Sequence, residues 1–419
     1  MIKLIQKIEG EAKFDFRFKD KKIEFVDIEF MSTRSIEKIL EGKSPLDALV
    51  INPRVCGICG QAHLIATVKA LENCYDDINI SKKAEILREL TLNFELIHNH
   101  FKWFYLTLFP LFGKKQELLK ATYVSQLMAK AIATIGGQYP HTSYAIVGGV
   151  VCDITEMDII KLHHYIDETV KFFQDNLVNT KSREFLLCED VDKVLTYSGD
   201  LPDLLKEIKE KGWLGYGKSY DRFIAFGSNS YFTKGKSVKT RVANNISLDN
   251  VHEEDNENSF AKNVSFKDKY YEVGPLARSM INKVALIKDS HRKYGDSIFS
   301  RILARVCEST QLLAHSKKLL DDLDLSEQSY IEPPVDITKL NGSGEASVEA
   351  ARGSLIHKVE LENGVIKNYE IITPTQWNLS GGTKENPGVS QKAMIGLEDT
   401  KTAELVFKTF DVCSVCTTH

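Results

Sequence analysis

Two Cys-x-x-Cys pairs stand almost the whole length of the chain apart, Cys56/Cys59 near its start and Cys413/Cys416 close to its end. Eight cysteines in 419 positions would give about 0.15 such pairs by chance, so two pairs call for a purpose. A disulfide framework does not suit a large chain whose N-terminus lacks the apolar stretch and small-residue cleavage site of a secretory signal. Metal or redox chemistry remains, and thiolates are soft ligands suited to zinc, iron or nickel. Zinc ribbons and knuckles join their halves over short separations. Joining Cys59 to Cys413 closes nearly the entire chain. The entropy of that closure grows only logarithmically, but the complete fold must form before the site exists. A catalytic centre inside a domain is built that way. A structural zinc held by the four cysteines is the alternative.

Composition removes other classes. Lys and Arg number 54 against 58 Asp and Glu, a net charge of −4, so no basic excess exists to hold nucleic acid or anionic lipid. Apolar residues at 43% and charged residues at 27% fit a packed globular chain. The longest apolar stretch, Trp103 to Phe112, is interrupted by Thr107 and Pro110 and falls short of the ~20 residues of a membrane span. The length suggests two or three folding units at most.

Periodicity divides the chain into a few regions. Phe14, Phe16 and Phe18 alternate with polar residues, Lys19 to Lys22 is turn-like, and Ile23, Phe25, Ile28 and Phe30 follow, predicting a meandering antiparallel sheet. Helical spacing from Ser81 to Pro110 predicts one helix over 81–109, about 44 Å long at the standard rise. A second helix is expected over 116–135, ended by Gly136-Gly137. A third starts at Thr155 with Asp158 completing a variant capping box. A long helical region spans about 277–320, broken near Tyr294-Gly295. The charge runs at 234–241 and 248–258 read as solvated loops. Asn363-Gly364, between Leu355–Leu361 and Val365–Ile372, is a strong hairpin signal. The fold class is therefore mainly α with small β-sheets (α+β): a long-helix bundle core, an N-terminal antiparallel sheet and a C-terminal hairpin region.

The sequence around the cysteines is specific. Arg54-x-Cys-Gly-x-Cys-x-x-x-His63 and Asp411-x-Cys-x-x-Cys-x-x-His419 resemble the paired signatures of the nickel–iron hydrogenase large subunit. Ile8-Glu-Gly10, Arg34-Ser-Ile-Glu37, Gly137-Gln-Tyr-Pro-His141 with Gly148-Gly-Val150, and Val273-Gly-Pro-Leu-Ala-Arg278 also resemble family segments. So do Glu349-Ala-Ala-Arg-Gly-Ser-Leu-Ile-His357 and Thr373-Pro-Thr-Gln-Trp-Asn378, all in family order. The resemblance implies one large-subunit domain over 1–419, with 1–80 carrying the sheet and first cysteine pair, 81–330 the bundle, and 331–419 the hairpin and second pair.

By that resemblance, Cys56 and Cys413 bind nickel terminally, Cys59 and Cys416 bridge nickel to iron, and the iron carries carbonyl and cyanide. The activity implied is heterolytic cleavage or formation of dihydrogen. Glu9 takes the proton from Cys413, a task suited to a carboxyl whose pKa burial raises. Arg352 stands over the iron ligands as a fixed cation with Asp411 as its carboxylate partner. Pro374 and Thr375 meet the cyanides, with the hydroxyl of Thr375 as donor. His63 donates to a bridging thiolate. Glu37, His419 and the backbone carbonyl of Ile371 hold a magnesium ion near the C-terminus, a donor set suited to a hard cation.

Cys74, Cys152, Cys188 and Cys307 form no cluster motif, so iron–sulfur clusters are expected only in a partner, the family's small subunit. Maturation proteins, and a C-terminal endopeptidase if an extension once followed His419, are the other expected partners. The missing signal favours a cytoplasmic member, while export or membrane association through a partner subunit stays open. Some positions depart from the family. Val412 and Ala351 replace prolines, Ser35 stands where glycine is common, and His98-Asn99-His100 occupies the place of an aspartate near the active site. That last departure implies one carboxylate fewer around Arg352. A hydrogen-sensing protein of the same fold competes with a turnover enzyme. The homologous quinone-module subunit of respiratory complex I has lost the cysteines that all remain here.

Overall fold

The computed structural model describes every residue except 1, 8, 9, 228–240, 243–247, 258, 380, 412, 414–417 and 419. Glu9, Cys416, His419, Val412 and most of the charge run at 234–241 therefore lie outside the described residues.

The N-terminal strands Ile2–Lys7, Gly10–Lys19 and Lys22–Phe30 form an antiparallel sheet in sequence order. Asp20 and Lys21, with φ of 50° and 64°, make its second turn, the left-handed pair that matches the twist of a tight hairpin. Phe14 and Phe16 are buried as the alternation predicts, but Phe18 is 42% exposed. Phe18 still pairs with the core residue Ile23, past a bulge at Glu24, but it lies at the exposed end of the hairpin beside the Asp20-Lys21 turn.

Four long helices build the body. Ser81 accepts the N–H of Ala84 and caps the helix Lys82–Lys102. The chain then widens into a π-turn over Trp103–Leu108 and continues through Pro110 to Leu111. The predicted stop at Pro110 is thus displaced: a proline has no N–H to give, and the wider turn absorbs the missing bond. Leu118–Gly136 ends at Gly137 (φ 76°), and Glu156–Phe172 begins with the Thr155–Asp158 capping box. The 277–320 region is three helices, Pro275–Ile281, Ala285–Tyr294 and Ile298–Asp321. Gly295 makes the expected break, and a second one falls at Lys283 (φ 59°).

A second antiparallel sheet consists of Gly342–Ala350, Gly353–Glu362 and Val365–Ile372, with Asn363-Gly364 as its tight turn. Residues 248–258 correct the expectation of a loop. Val251–Asn256 is a strand paired with Ser259–Phe266, with Val251 buried, Glu253 half-buried and His252 and Glu254 exposed. Charged residues suit such a strand because only one face meets the core.

Between the bundle and the second sheet lies the buried helix Gly60–Glu72, which starts where the first cysteine pair ends. A Cβ at Gly344 would stand 2.1 Å from the carbonyl oxygen of Ala70, so the close packing of sheet on helix requires glycine there. The main core runs from Ala12 to Phe410. Phe14 meets the ring of Phe407 edge-on at 4.6 Å, and Ile23 exchanges backbone hydrogen bonds with Gly396 and Leu397. The two ends of the chain share one wall of the molecule.

Candidate metal centre

Cys56, Cys59 and Cys413 form a buried cluster edged by Ile58, with no disulfide among the described cysteines. The sulfurs of Cys56 and Cys413, 357 positions apart in sequence, stand 3.7 Å from one another. A disulfide needs about 2.05 Å. Two thiolates on one tetrahedral metal at about 2.3 Å each lie about 3.8 Å apart. The separation therefore fits two ligands of one ion. Among the described residues no three His, Cys, Asp or Glu complete a metal site.

The first pair is held by a remote carboxylate. Cys59 occupies the N-cap position of the helix Gly60–Glu72 without a capping bond from its side chain. Glu95 supplies the cap instead, accepting the N–H groups of Gln61 at 2.7 Å and Ala62 at 3.0 Å. These are donors a helix start leaves unsatisfied. Burial pushes the Glu95 carboxyl up to about 8 against the pull of those two N–H groups, with Cys56 raising it and Arg352 lowering it. Asn99, one turn on, donates to the carbonyls of Ile58 and Glu95. The buried acid that feels Arg352 from this helix is Glu95. It went unmarked because its partners are 34 and 33 positions away.

Arg352 and Asp411 meet as the motif order suggests. Arg352 donates from Nε to the Asp411 carbonyl at 3.0 Å and from Nη2 to its Oδ1 at 3.1 Å. The other carboxylate oxygen accepts Arg305 at 2.9 Å. From Arg305 a buried network continues through His100 at 3.2 Å and on to Glu308, 2.8 Å from the far ring nitrogen. Arg278 joins Glu308, at 2.7 and 2.6 Å, to Glu349 at 3.0 Å. An arginine always donates, so Nδ1 of His100 accepts and Nε2 carries the proton. Burial together with Arg305 lowers the His100 pKa to about 4, leaving the ring neutral. Three guanidinium groups then balance three carboxylates. For Glu308, burial opposes the charge, but Arg278 and His100 outweigh it and hold the carboxyl at about 2.

Beside the cysteines lies a cavity of about 10 Å³, lined by Cys59, His63, Arg352, Leu355, Pro374 and Thr375 among others. The hydroxyl of Thr375 is buried with no hydrogen-bond partner among the described residues. Soft thiolates, a cation and an unused donor around a small cavity fit a metal that carries polar ligands. Glu37 and Ile371 are also brought together, through the Ile371 N–H donating to Glu37 at 2.7 Å. The chain end is near, since the N–H of Arg34 donates to the carbonyl of Thr418. Lys262 stands 3.8 Å from Glu37 and 3.6 Å from Glu253, and Gln376 donates to Glu253. Glu253, in the segment expected to be a loop, therefore belongs to this acidic corner.

A helical body with small sheets, closed around thiolates from both ends, defines a buried thiolate metal centre. The comparisons give that class its family. The nickel-dependent hydrogenase family model matches residues 34–109 and 221–419, and the chain belongs to that family. It is 25% identical to the alpha chain of the coenzyme F420 hydrogenase of Methanothermobacter thermautotrophicus, over 92% of this chain and 85% of that protein. It is also 25% identical to the periplasmic NiFeSe hydrogenase large subunit of Desulfomicrobium baculatum, covering 94% and 88%. The Ni-Fe-Se hydrogenase from D. vulgaris Hildenborough superposes with a TM-score of 0.82 at 21% identity, covering 100% of both chains. The chain is a nickel–iron hydrogenase large subunit, an oxidoreductase, and the expected fold class holds. No helix among the described residues is long and apolar enough to cross a membrane.

Proposed function

We propose that this subunit cleaves or forms dihydrogen heterolytically at a centre held by Cys56, Cys59, Cys413 and Cys416. The carrying observation is the 3.7 Å approach of the Cys56 and Cys413 sulfurs. When bound, the nickel–iron pair, with carbonyl and cyanide on iron, supplies the Lewis acid and the redox capacity. The chain's own groups supply the rest. Cys413 Sγ would receive the proton released by heterolysis, and the carboxylate of Glu9 would carry away that proton and the second one left when the electron pair departs. Arg352, fixed by Asp411, presents a cation to the polar iron ligands. Pro374 and Thr375 shape the cavity and give one hydroxyl donor. His63 donates to a bridging thiolate. The electron pair leaves to iron–sulfur clusters in a partner small subunit, a reading supported by the name "large subunit" of the Desulfomicrobium relative.

Magnesium is assigned to Glu37, His419 and the carbonyl of Ile371, supported by the acidic corner beside the chain end. The whole chain is read as one folding unit, supported by the core that runs from Ala12 to Phe410. A cytoplasmic address is part of this reading, with export kept open by the periplasmic Desulfomicrobium relative. The test is elemental analysis, infrared spectroscopy and hydrogen turnover against redox dyes. Nickel and iron near one each per chain, carbonyl and cyanide bands, and turnover abolished in Glu9→Gln with metals retained are expected. Zinc without nickel overturns the centre; undiminished turnover in Glu9→Gln removes that residue from the proton route. Bands without steady turnover would instead mark a hydrogen sensor.

A further inference from the structure

We propose that His357 and Tyr369 are positioning residues that fix His63 in the tautomer with its proton on Nε2, making it a permanent neutral donor to the thiolate cluster. This rests on the reading of those thiolates as ligands of a nickel–iron centre. His63 lies on the first turn of the helix Gly60–Glu72, its N–H bonded to the carbonyl of Cys59, and the two side chains line the same cavity. Its Nδ1 stands 3.1 Å from Nε2 of His357. One proton lies between these nitrogens, and its owner decides what His63 shows to the sulfurs.

The neighbours decide it. Nδ1 of His357 is 2.8 Å from the Tyr369 hydroxyl and 3.3 Å from Thr67 Oγ1. Thr67 has one proton, which goes to the His63 carbonyl at 2.8 Å, while its oxygen accepts Asn52 at 2.9 Å. Thr67 therefore has no proton left to give His357. The phenol could give its proton to Thr67 instead, but 3.3 Å lies outside the ordinary O–H···O range of about 2.5–3.0 Å. Its proton goes to His357 Nδ1. His357 must then carry its own on Nε2 and donate to His63 Nδ1, which leaves the His63 proton on Nε2.

Secondary structure builds this chain. Thr67 follows His63 by four residues on one helix face. His357 and Tyr369 are diagonal neighbours on adjacent strands, with His357 opposite Ile371 and Tyr369 opposite Val359. Every member is buried, and in this proton arrangement none carries a charge, so no ion is desolvated. An N–H directed at a thiolate draws electron density from sulfur. Without it the sulfur gives more density to the metals, and carbonyl and cyanide stretches fall.

The test uses loaded enzyme, with metal content and infrared spectra for Tyr369→Phe, His357→Leu and His357→Gln. A glutamine can accept the phenol proton at its oxygen and donate from its nitrogen to His63. Expected are bands at lower frequency in whichever of Tyr369→Phe and His357→Leu retains metal, with His357→Gln at the unsubstituted position. Unshifted bands in both disruptive variants overturn the proposal. So does a shift in His357→Gln equal to theirs, which would assign the effect to packing. Absence of carbonyl and cyanide bands from the unsubstituted protein overturns the metal reading itself, a result distinct from either.

Discussion

Arg305 is the residue on which most of the buried charge turns. It is the second cation on Asp411, the donor that fixes the His100 tautomer, and it stacks 4.7 Å from the ring of Trp103. Burial lowers its pKa to about 10, still far above neutrality, so its charge persists. Removing one member of a buried network costs about 3–5 kcal/mol, because the others stay desolvated without a partner. Arg305→Leu should therefore lower the unfolding free energy by that amount, read as a lower urea midpoint. Arg292→Leu, which breaks the pair with Asp289 from a side chain that is 77% exposed, should change stability by less than about 1 kcal/mol. Equal midpoints for the two variants would mean that the network contributes no more than a surface pair.

At the scale of elements, what could be read from the sequence was what local chemistry decides. The Asn363-Gly364 turn and the Thr155–Asp158 box need only residues close in sequence, and both are present. The exposure of Phe18 at the end of its hairpin and the strand Val251–Asn256 were not legible, since what covers a strand end and which half-exposed segments pair are settled by neighbours distant in sequence. The candidate site divides in the same way. Cys56, Asp411 and Arg352 sit in motifs, whereas Glu95, Arg305 and Glu308 are single charged residues inside helical stretches whose partners the periodicity cannot name. The hairpin also supports a prediction. Gly364 has φ of 74°, and a Cβ there would stand 1.7 Å from the carbonyl oxygen of Thr338. Gly42 has nearly the same φ, 76°, with nothing within 4 Å. Gly42→Ala should cost about 1–2 kcal/mol, the left-handed penalty alone. Gly364→Ala must also displace backbone and should melt distinctly lower. A thermal scan of both variants that gave equal losses would show that the clash relaxes at no cost.

For the whole molecule, the proposed centre would draw ligands from both ends, and metal occupancy would then be coupled to global stability. Side chains and backbone also join the ends: Phe14 meets Phe407, Arg305 and Arg352 hold Asp411, and Arg34 bonds Thr418. The fold therefore offers the metal a preassembled pair of sulfurs, while the unfolded chain holds Cys56 and Cys413 far apart. A ligand that binds only the folded state stabilises it by an amount that grows with occupancy, about 4 kcal/mol at a thousand times its dissociation constant. Metal-loaded protein should unfold at higher urea than protein prepared without nickel, in one transition, because no part of the chain can open without parting the ends. Cys56→Ser should remove the difference between the two preparations, and Cys152→Ser, outside the cluster, should leave it intact. If loaded and nickel-free protein unfolded at the same midpoint, the metal would not be held by sulfurs from opposite ends of this chain.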